Sequence, residues 1–291
     1  MQSAAIRVIP RLDIKGPNLV KGIHLEGLRV LGKPEEFARH YYENGADELF
    51  FQDVVASLYE RNSLHDIVSK IAREIFIPLT VGGGLRSLED IRSVLRAGAD
   101  KVAINTAALK QPDIVRQAAL DFGSSTIVVA IEAIRESDGR YLAYTDNGRE
   151  YTGREVVEWA QEAEALGAGE IVITSVDREG TGEGYDISLT RKVADAVRIP
   201  VIAHGGPGKL AHMPEVLTQG GATAIAVAGM LHYDYIARFA STAASATEGN
   251  TEFLRSGRSH RHFETCTLPE IKAFLLSQGL PCRPFNPQPH A

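Results

Sequence analysis

Two carboxylates each end a short apolar segment of the chain. Asp13 closes the segment 8–12, and Glu132 closes the segment 128–131. A single carboxylate at such a place most often caps a helix or pairs with a nearby cation. Two carboxylates at equivalent strand ends can instead serve one reaction, in which one takes a proton and the other donates one. We therefore predict that Asp13 and Glu132 form a general acid–base pair.

Glycine-rich turns follow four other apolar segments, and they occur in two sets. The first set is Gly82-Gly83-Gly84 with Asn105-Thr106, and the second is Gly205-Gly206 with Ala228-Gly229. Glycine lets a backbone approach an oxyanion closely, and helix N-termini supply free amides. Tight turns use glycine for other reasons too, but the duplication predicts a substrate with a phosphate at each end. Lys21 is the predicted clamp, and its plainer alternative is a solvated surface lysine.

Charged residues begin four of the apolar segments, namely Arg7, Glu48, Lys101 and Glu170. In a barrel these residues would lie at the rim opposite Asp13 and Glu132, where charged side chains usually serve stability. Their mixed signs predict a ring of ion pairs that closes that end of the barrel.

The order of the elements predicts how these residues come together. Strands are predicted near 6–13, 48–53, 77–82, 101–105, 126–132, 170–175, 199–204 and 223–228, with amphipathic helical stretches such as 88–96 and 153–166 between them. Eight strands alternating with helices predict an α/β fold, a (β/α)8 TIM barrel with its active site at the carboxyl ends of the strands. An open doubly wound sheet fits less well, because no glycine-rich nucleotide loop opens the first helix.

An internal repeat divides this barrel into two (βα)4 half-barrels. Residues 45–49 are similar to residues 167–171, and the Ile-Pro and Gly-Gly pairs of 77–84 return at 199–206, both at an offset of 122 residues. Three segments fall outside the repeat: a long loop at 15–33, a predicted hairpin within 134–152, and a predicted surface insertion at 241–263. We expect one domain over 1–291, with a last helix at 268–278 and a disordered tail at 284–291.

The composition excludes several classes of protein. The formal net charge of −6 argues against nucleic acid as a partner. The sequence has neither a signal-peptide pattern nor an apolar run of about 18 residues that could span a membrane. Cys266 and Cys282 could form a disulfide, but free thiols in a reducing cytoplasm are the preferred interpretation. No metal site and no cofactor are predicted.

Several of these segments resemble the cyclase subunit of imidazole glycerol phosphate synthase. The resemblance is carried by residues 7–10, 12–13, 20–22, 45–49, 77–84, 97–101, 174–175 and 177–178. It covers about residues 6–235 and the last helix. In that family a glutaminase docks on the N-terminal face of the barrel, and ammonia passes through a gate of four charged residues and along the barrel axis.

The resemblance implies an activity, a substrate and a partner. Ammonia meets a ribulosyl phosphate aminoimidazole carboxamide nucleotide that carries two phosphates. The products are imidazole glycerol phosphate and an aminoimidazole carboxamide ribotide, in a lyase reaction of histidine biosynthesis. The chain has no glutaminase segment of its own, so a separate HisH-type glutaminase subunit in a heterodimer is implied.

The resemblance also assigns individual residues. Asp13 matches the catalytic carboxylate of strand one, and Asp100 matches a contact with the glutaminase. The ammonia gate corresponds to Arg7, Glu48, Lys101 and Glu170. The substrate-binding set corresponds to Lys21, Gly83, Asn105, Thr106, Thr174, Glu179, Gly180, Gly205, Gly206, Ala228 and Gly229.

The chain departs from the family pattern around this site. The family usually has aspartate at Glu132 and Glu179, cysteine at Arg11, and serine at His204 and Gly229. A glutamate carboxyl lies one methylene further out, a displacement that can cost about a hundredfold in rate. Two alternatives therefore stay open. One is a non-catalytic ammonia relay for a sugar amidotransferase of surface-polysaccharide biosynthesis. The other, ranked lower because the gate has no purpose in it, is the sister isomerase of the histidine pathway.

Overall fold

The computed structural model describes residues 5–56, 65–239 and 263–285. Its strands are β1 (Arg7–Lys15), β2 (Asn18–Ile23), β3 (Glu26–Gly32), β4 (Leu49–Asp53), β5 (Leu79–Gly82), β6 (Lys101–Ile104), β7 (Ile127–Arg135), β8 (Tyr141–Thr145), β9 (Glu150–Glu155), β10 (Glu170–Ser175), β11 (Val201–His204) and β12 (Ala224–Val227). Its helices are α1 (Pro34–Glu43), α2 (His65–Ile71), α3 (Leu88–Ala97), α4 (Thr106–Lys110), α5 (Asp113–Phe122), α6 (Val156–Ala165), α7 (Ile187–Ala196), α8 (His212–Thr218), α9 (Gly229–Phe239) and α10 (Leu268–Ser277).

Eight of the strands close a parallel barrel. The order around it is β1, β4, β5, β6, β7, β10, β11 and β12, and β12 pairs in parallel with β1. The predicted (β/α)8 TIM barrel is confirmed. We call the carboxyl ends of these eight strands the mouth and their amino ends the floor. Because β1 and β7 are four strands apart in either direction, they face each other across the axis.

The expectation of a long loop at residues 15–33 is wrong, because this segment forms a hairpin. β2 pairs antiparallel with β1, with Val20 opposite Asp13, and with β3, with Val20 opposite Val30. The leucines Leu19 and Leu31 are fully or almost fully buried. Burial of these apolar side chains favours strands over the loop that the glycines suggested.

The hairpin predicted within 134–152 is present as β8 and β9. Its turn runs through Asp146, Asn147 and Gly148, which all have positive φ. It extends the end of β7, with Tyr144 opposite Glu132. Each half-barrel therefore carries a hairpin on its first strand. The segments 15–33 and 134–152, two of the three that fall outside the sequence repeat, are therefore structural equivalents of one another.

The interior of the barrel is layered. Side chains of a strand point alternately to the two faces of the sheet, so Arg7, Ile9, Arg11 and Asp13 of β1 all face the axis. Ile9 belongs to an interior apolar cluster that is separate from the larger core between strands and helices. This apolar layer consists of Ile9, Phe50, Ala103, Val128, Val172, Ile202, Ala224 and Ala226, with Ala130 packed against it. Charged groups lie below it at the floor and above it at the mouth.

Short turns at the floor fix where each barrel strand begins. Helix α3 starts at a capping box of Ser87 and Asp90 and ends at Gly98, whose φ is 118°. A Cβ at Gly98 would lie 2.4 Å from the Cβ of Ala72, so a larger residue would force this turn away from its neighbour. The turn places Lys101, the first residue of β6, at the floor.

The last helix also closes the floor. Lys272 of α10 is 1% exposed and pairs with Asp47 at 2.7 Å. Residues 241–262 of the predicted insertion and 286–291 of the predicted tail lie outside the described residues. Phe285, at the edge of that tail, lies beside Gly45 on the floor. Over the described ranges, no helix has the length and hydrophobicity that crossing a membrane requires.

Candidate active site

The mouth of the barrel brings Asp13 and Glu132 to opposite walls. Asp13 is one of the inward-facing residues of β1, and Glu132 is one of the inward-facing residues of β7. Their exposed fractions are 3% and 8%. Two carboxylates that sequence analysis paired by the repeat are thus both largely withdrawn from water at the carboxyl ends of facing strands, where barrel enzymes bind their substrates.

Glu132 titrates close to neutrality. Burial raises the pKa of its carboxyl to about 7, and the carboxylates of Asp146 and Asp13 add to the rise. The backbone N–H of Gly148 donates to Oε2 at 2.8 Å, and this bond and the Arg11 guanidinium oppose the rise. A carboxyl with such a pKa can either donate or accept a proton near pH 7, which suits a general acid or base.

Arg11 fills the space above the apolar layer. Its guanidinium donates from Nε to Asp13 Oδ1 at 2.9 Å and from Nη1 to Thr174 Oγ1 at 3.3 Å and His204 Nδ1 at 3.1 Å. Only 3% of Arg11 is exposed. Burial, together with Arg11 and then Lys21, lowers the pKa of His204 well below its usual range. Since arginine can only donate, Nδ1 of the neutral His204 ring must accept, and its proton resides on Nε2.

Lys21 and Glu179 tie the first hairpin to the loop after β10. Both side chains are almost fully buried, and Lys21 Nζ donates to Glu179 Oε1. The second oxygen of Glu179 accepts from the N–H of Leu25 at 3.2 Å, and its backbone oxygen accepts from the N–H of His24 at 2.9 Å. Glu179 therefore anchors the hairpin that carries Lys21 over the mouth.

The two hairpins meet above the mouth. Asn147, in the β8–β9 turn, donates from Nδ2 to the backbone oxygen of Leu25, in the β2–β3 turn, at 2.8 Å. Arg149 and Glu26 form an exposed ion pair beside this contact at 3.8 Å. The neighbouring Gly148 is the donor to Glu132. The hairpin contact thus connects the cover of the site to one of its two carboxylates.

An open cavity of about 430 Å³ lies on the β4–β7 side of the mouth. It is lined by Glu132 and by three of the predicted phosphate-binding residues, Gly83, Asn105 and Thr106. Gly83 has φ of 99°, and a Cβ there would lie 2.3 Å from the backbone oxygen of Asp53. Glycine is therefore needed where the two loops approach. The cavity wall also includes the cations Arg86 and Lys110.

The opposite side of the mouth is almost filled. The space lined by Gly205, Gly206, Ala228 and Gly229, together with Lys21, Glu179, Gly180 and His204, is only about 10 Å³. Phe263 lies in it: a Cβ on Gly229 would be 3.0 Å from this ring. Glu264 donates its N–H to the backbone oxygen of Gly208 at 2.7 Å. The glycines of the second predicted cradle are thus in place, with an aromatic side chain against them.

The floor carries the predicted ring of ion pairs. Glu48 accepts from Arg7 Nη1 at 2.9 Å and from Lys101 Nζ at 3.0 Å. Glu170 accepts from Arg7 and, at 3.0 Å, from Lys101. Asp100 is exposed beside this ring, and its Oδ2 accepts the N–H of Leu79 at 2.9 Å. The four side chains together cover the end of the barrel axis.

Comparison with known proteins agrees with this geometry. Residues 7–237 match the family model described as histidine biosynthesis protein. A relative, the imidazole glycerol phosphate synthase subunit HisF of Legionella pneumophila, is 58% identical over 205 residues. These residues make up 70% of this chain and 97% of that protein.

The chain belongs to the histidine biosynthesis protein family. Within it, the chain is of the HisF type, as the sequence resemblance implied. The comparisons do not favour the alternatives of an ammonia relay and of the sister isomerase. The departures at Arg11, Glu132, Glu179, His204 and Gly229 are therefore changes within a HisF-type mouth.

Sequence reasoning missed four features of this HisF-type site. It did not bring Arg86 and Lys110 to the cavity of the first predicted phosphate site, and it did not connect the Asn147-Gly148 turn to Glu132. It also left Phe263 in a surface insertion and did not pair Arg11 with His204. The alternation of side chains along β1 was the available signal for Arg11. Arg11 and Asp13 are two residues apart and therefore point to the same side of the strand. In the described residues no group of histidine, cysteine, aspartate and glutamate could hold a metal ion.

Glu132→Gln should change the pH dependence of stability. The native pKa of about 7 lies above the ordinary value of 4.5. The native state therefore holds an extra proton between these values, and wild-type stability falls as pH rises through this window. The variant does not lose stability in this way. The difference in free energy of unfolding between the variant and the wild type should therefore shift by about 2 kcal/mol in favour of the variant between pH 5 and pH 8. Urea unfolding at both pH values measures the gain.

Glu183→Gln is the control for that experiment, because Glu183 is exposed. An equal stability difference between Glu132→Gln and the wild type at both pH values would contradict the raised pKa.

Phe263→Ala should open the second cradle. In the wild type an anion must displace the ring, and in the variant it need not. Inorganic phosphate should therefore bind about 3- to 10-fold more tightly, which corresponds to the roughly 1 kcal/mol that burial of the ring contributes. Calorimetric titration measures the change. Phe76→Ala, which removes a ring that is 80% exposed, is the control. Weaker or unchanged binding would mean that Phe263 does not obstruct the cradle.

Proposed function

We propose that the chain performs the ammonia-dependent cyclase–lyase reaction of histidine biosynthesis through Asp13 and Glu132. Ammonia and the ribulosyl phosphate aminoimidazole carboxamide nucleotide would give imidazole glycerol phosphate and the aminoimidazole carboxamide ribotide. The single observation that carries the proposal is the pair of buried carboxylates on facing strands, at the mouth of a HisF-type barrel whose floor holds the ring of four charges.

The two carboxyls differ in their surroundings, and this difference suggests their roles. Asp13 Oδ1 accepts from Arg11, and a carboxylate that is held in this way is suited to accept a proton. Glu132, whose pKa burial raises to about 7, retains a proton over part of the neutral range and is suited to donate one. We assign Asp13 as the base and Glu132 as its acidic counterpart.

We place one phosphate in the open cavity, at Gly83, Asn105 and Thr106. Lys110 and Arg86 line the same cavity and supply positive charge in a chain whose net charge is negative. Asn105 donates from Nδ2 to the backbone oxygen of Tyr144 at 3.2 Å, whereas its buried Oδ1 has no partner in the described part of the chain. That oxygen can accept a hydrogen bond from a substrate hydroxyl.

We place the second phosphate at the closed cradle. Phe263 would have to move aside for it, and Lys21 would exchange Glu179 for the phosphate. The proposed binding set on this side consists of Lys21, Thr174, Glu179, Gly180, Gly205, Gly206, Ala228 and Gly229. The resemblance supports this set, and the clustering of seven of them around one space of about 10 Å³ is consistent with it.

We further propose a HisH-type glutaminase subunit as the partner, in a heterodimer that docks on the floor. The ring of Arg7, Glu48, Lys101 and Glu170 would form the gate for ammonia, and Asp100 would contact the partner. The related protein named above is itself a subunit of a synthase. The buried free thiols of Cys266 and Cys282 support a reducing compartment, for which we propose the cytoplasm.

The catalytic proposal is tested with ammonium salt in place of the partner. Wild-type protein, the two-phosphate substrate and excess ammonium at high pH should give imidazole glycerol phosphate. Asp13→Asn should lower the rate by about 10²- to 10⁴-fold, because the base is lost. Product formation is followed by chromatography, and circular dichroism checks that the variant is folded.

The control for that assay is Asp138→Asn, in the exposed turn between β7 and β8. Failure of the folded wild type to turn over, combined with binding of a HisH-type glutaminase, would reject the cyclase and favour the ammonia relay.

Asp100→Asn tests the docking face. The variant keeps an oxygen that can accept from the N–H of Leu79 but removes the charge. With a HisH-type glutaminase and glutamine, the ratio of glutamine-driven to ammonium-driven rate should fall about tenfold, since a charged contact is lost. Asp138→Asn again serves as the control. An unchanged ratio would place the partner contact elsewhere.

A further inference from the structure

Arg11 is a buried cation on the barrel axis that the proposed reaction does not use. It lies between the apolar layer and the two carboxylates, and its guanidinium carbon is 5.5 Å from the ring centre of Phe50 in that layer. Thr174 of β10 and His204 of β11 reach it from the other wall. These side chains fill the axis just below Asp13.

Asp13 is the charged partner of Arg11. A guanidinium withdrawn from water is costly unless it is paired and hydrogen-bonded. In the described residues Asp13 is the carboxylate within ion-pair distance of Arg11, while Thr174 and His204 supply neutral acceptors. Each member of the Arg11–Asp13 pair therefore compensates the charge of the other and holds it in place.

This pairing also orients Asp13. Arg11 binds Oδ1 and leaves Oδ2 without a contact to the guanidinium. Because His204 and Thr174 hold Arg11 from the far side, the guanidinium cannot turn without breaking several hydrogen bonds. The other oxygen of Asp13, Oδ2, is therefore the one that we expect to face the substrate.

Arg11 also acts on Glu132 across the barrel. Its positive charge opposes the effect of burial and of the Asp146 and Asp13 carboxylates on the Glu132 carboxyl. Charged groups near the mouth also include Arg86, Lys110, which lies 3.6 Å from Asp146, and the Lys21–Glu179 pair. Arg11 thus offsets part of the repulsion between two carboxylates in one small site.

We propose that Arg11 is a positioning residue for the carboxylate pair. It aims Asp13 at the substrate and places one positive charge beside the two carboxylates. The inference rests on the proposed roles of Asp13 and Glu132. It gives a purpose to a bulky cation at a position where a small residue would leave the axis open.

The experiment compares Arg11→Met and Arg11→Lys with the wild type in the ammonium-driven assay over pH 6 to 9. In Arg11→Met, kcat should fall by about tenfold or more, because Asp13 is misplaced, whereas KM for the substrate should change little. The limb of the rate profile near pH 7 should move up by roughly one pH unit, since Glu132 loses an opposing charge. Arg11→Lys should restore most of the position of that limb.

Arg116→Met is the matched control, because Arg116 is exposed on α5. A merely structural role would lower stability and kcat without moving the pH limb, and an unmoved limb in Arg11→Met would overturn the inference. If Arg11→Met does not fold, Arg11→Gln replaces it, because glutamine can still donate to Asp13 but carries no charge, so the pH limb should still move up.

A second readout keeps this inference separate from the proposed function. Carbon-13 NMR of the Glu132 carboxyl reports its titration without any turnover. If the wild type makes no product, the proposed function fails, yet a higher pKa of Glu132 in Arg11→Met would still uphold the role of Arg11. An unchanged titration would reject it.

Discussion

The ion pair between Arg11 and Asp13 sets the electrostatics of the barrel mouth. Both groups are almost fully buried, so little water is left to solvate either charge. Through this pair the guanidinium fixes the Asp13 carboxylate. It also adds to the effect of burial, which lowers the pKa of His204, and it opposes the effect of burial on the pKa of Glu132. The layered barrel makes the pair necessary, because the apolar residues below Arg11 offer it no polar partner.

The symmetry of the fold supplies the matching parts, and the loops make them different. Each half contributes a carboxylate, a glycine-rich cradle and a hairpin. The two cradles nevertheless differ, since one opens into about 430 Å³ and the other is reduced to about 10 Å³ by Phe263. The hairpins also differ in function: the first carries Lys21 to Glu179, whereas the turn of the second binds Glu132 directly.

Most of the fold could be predicted from the sequence because it repeats simple patterns. Eight apolar segments, their alternation with helices and the offset of 122 residues were enough for the barrel, the facing carboxylates and the ring at the floor. The hairpin at 18–32 was missed because its glycines are typical of a loop. The segment forms strands because β2 pairs with β1, a contact that the local sequence does not show. The contacts of Phe263 and Lys110 depend on how distant loops return to the mouth, which local patterns do not encode.

The contact between Arg11 and its neighbours has a consequence for how this sequence can change. Arg11 needs Asp13 and an acceptor at His204, and the missing side chain at Gly229 leaves room for Phe263. A single substitution at any one of these positions would leave an unpaired charge, a void or a clash. These positions therefore constrain one another, so a change at one of them calls for a compensating change at another.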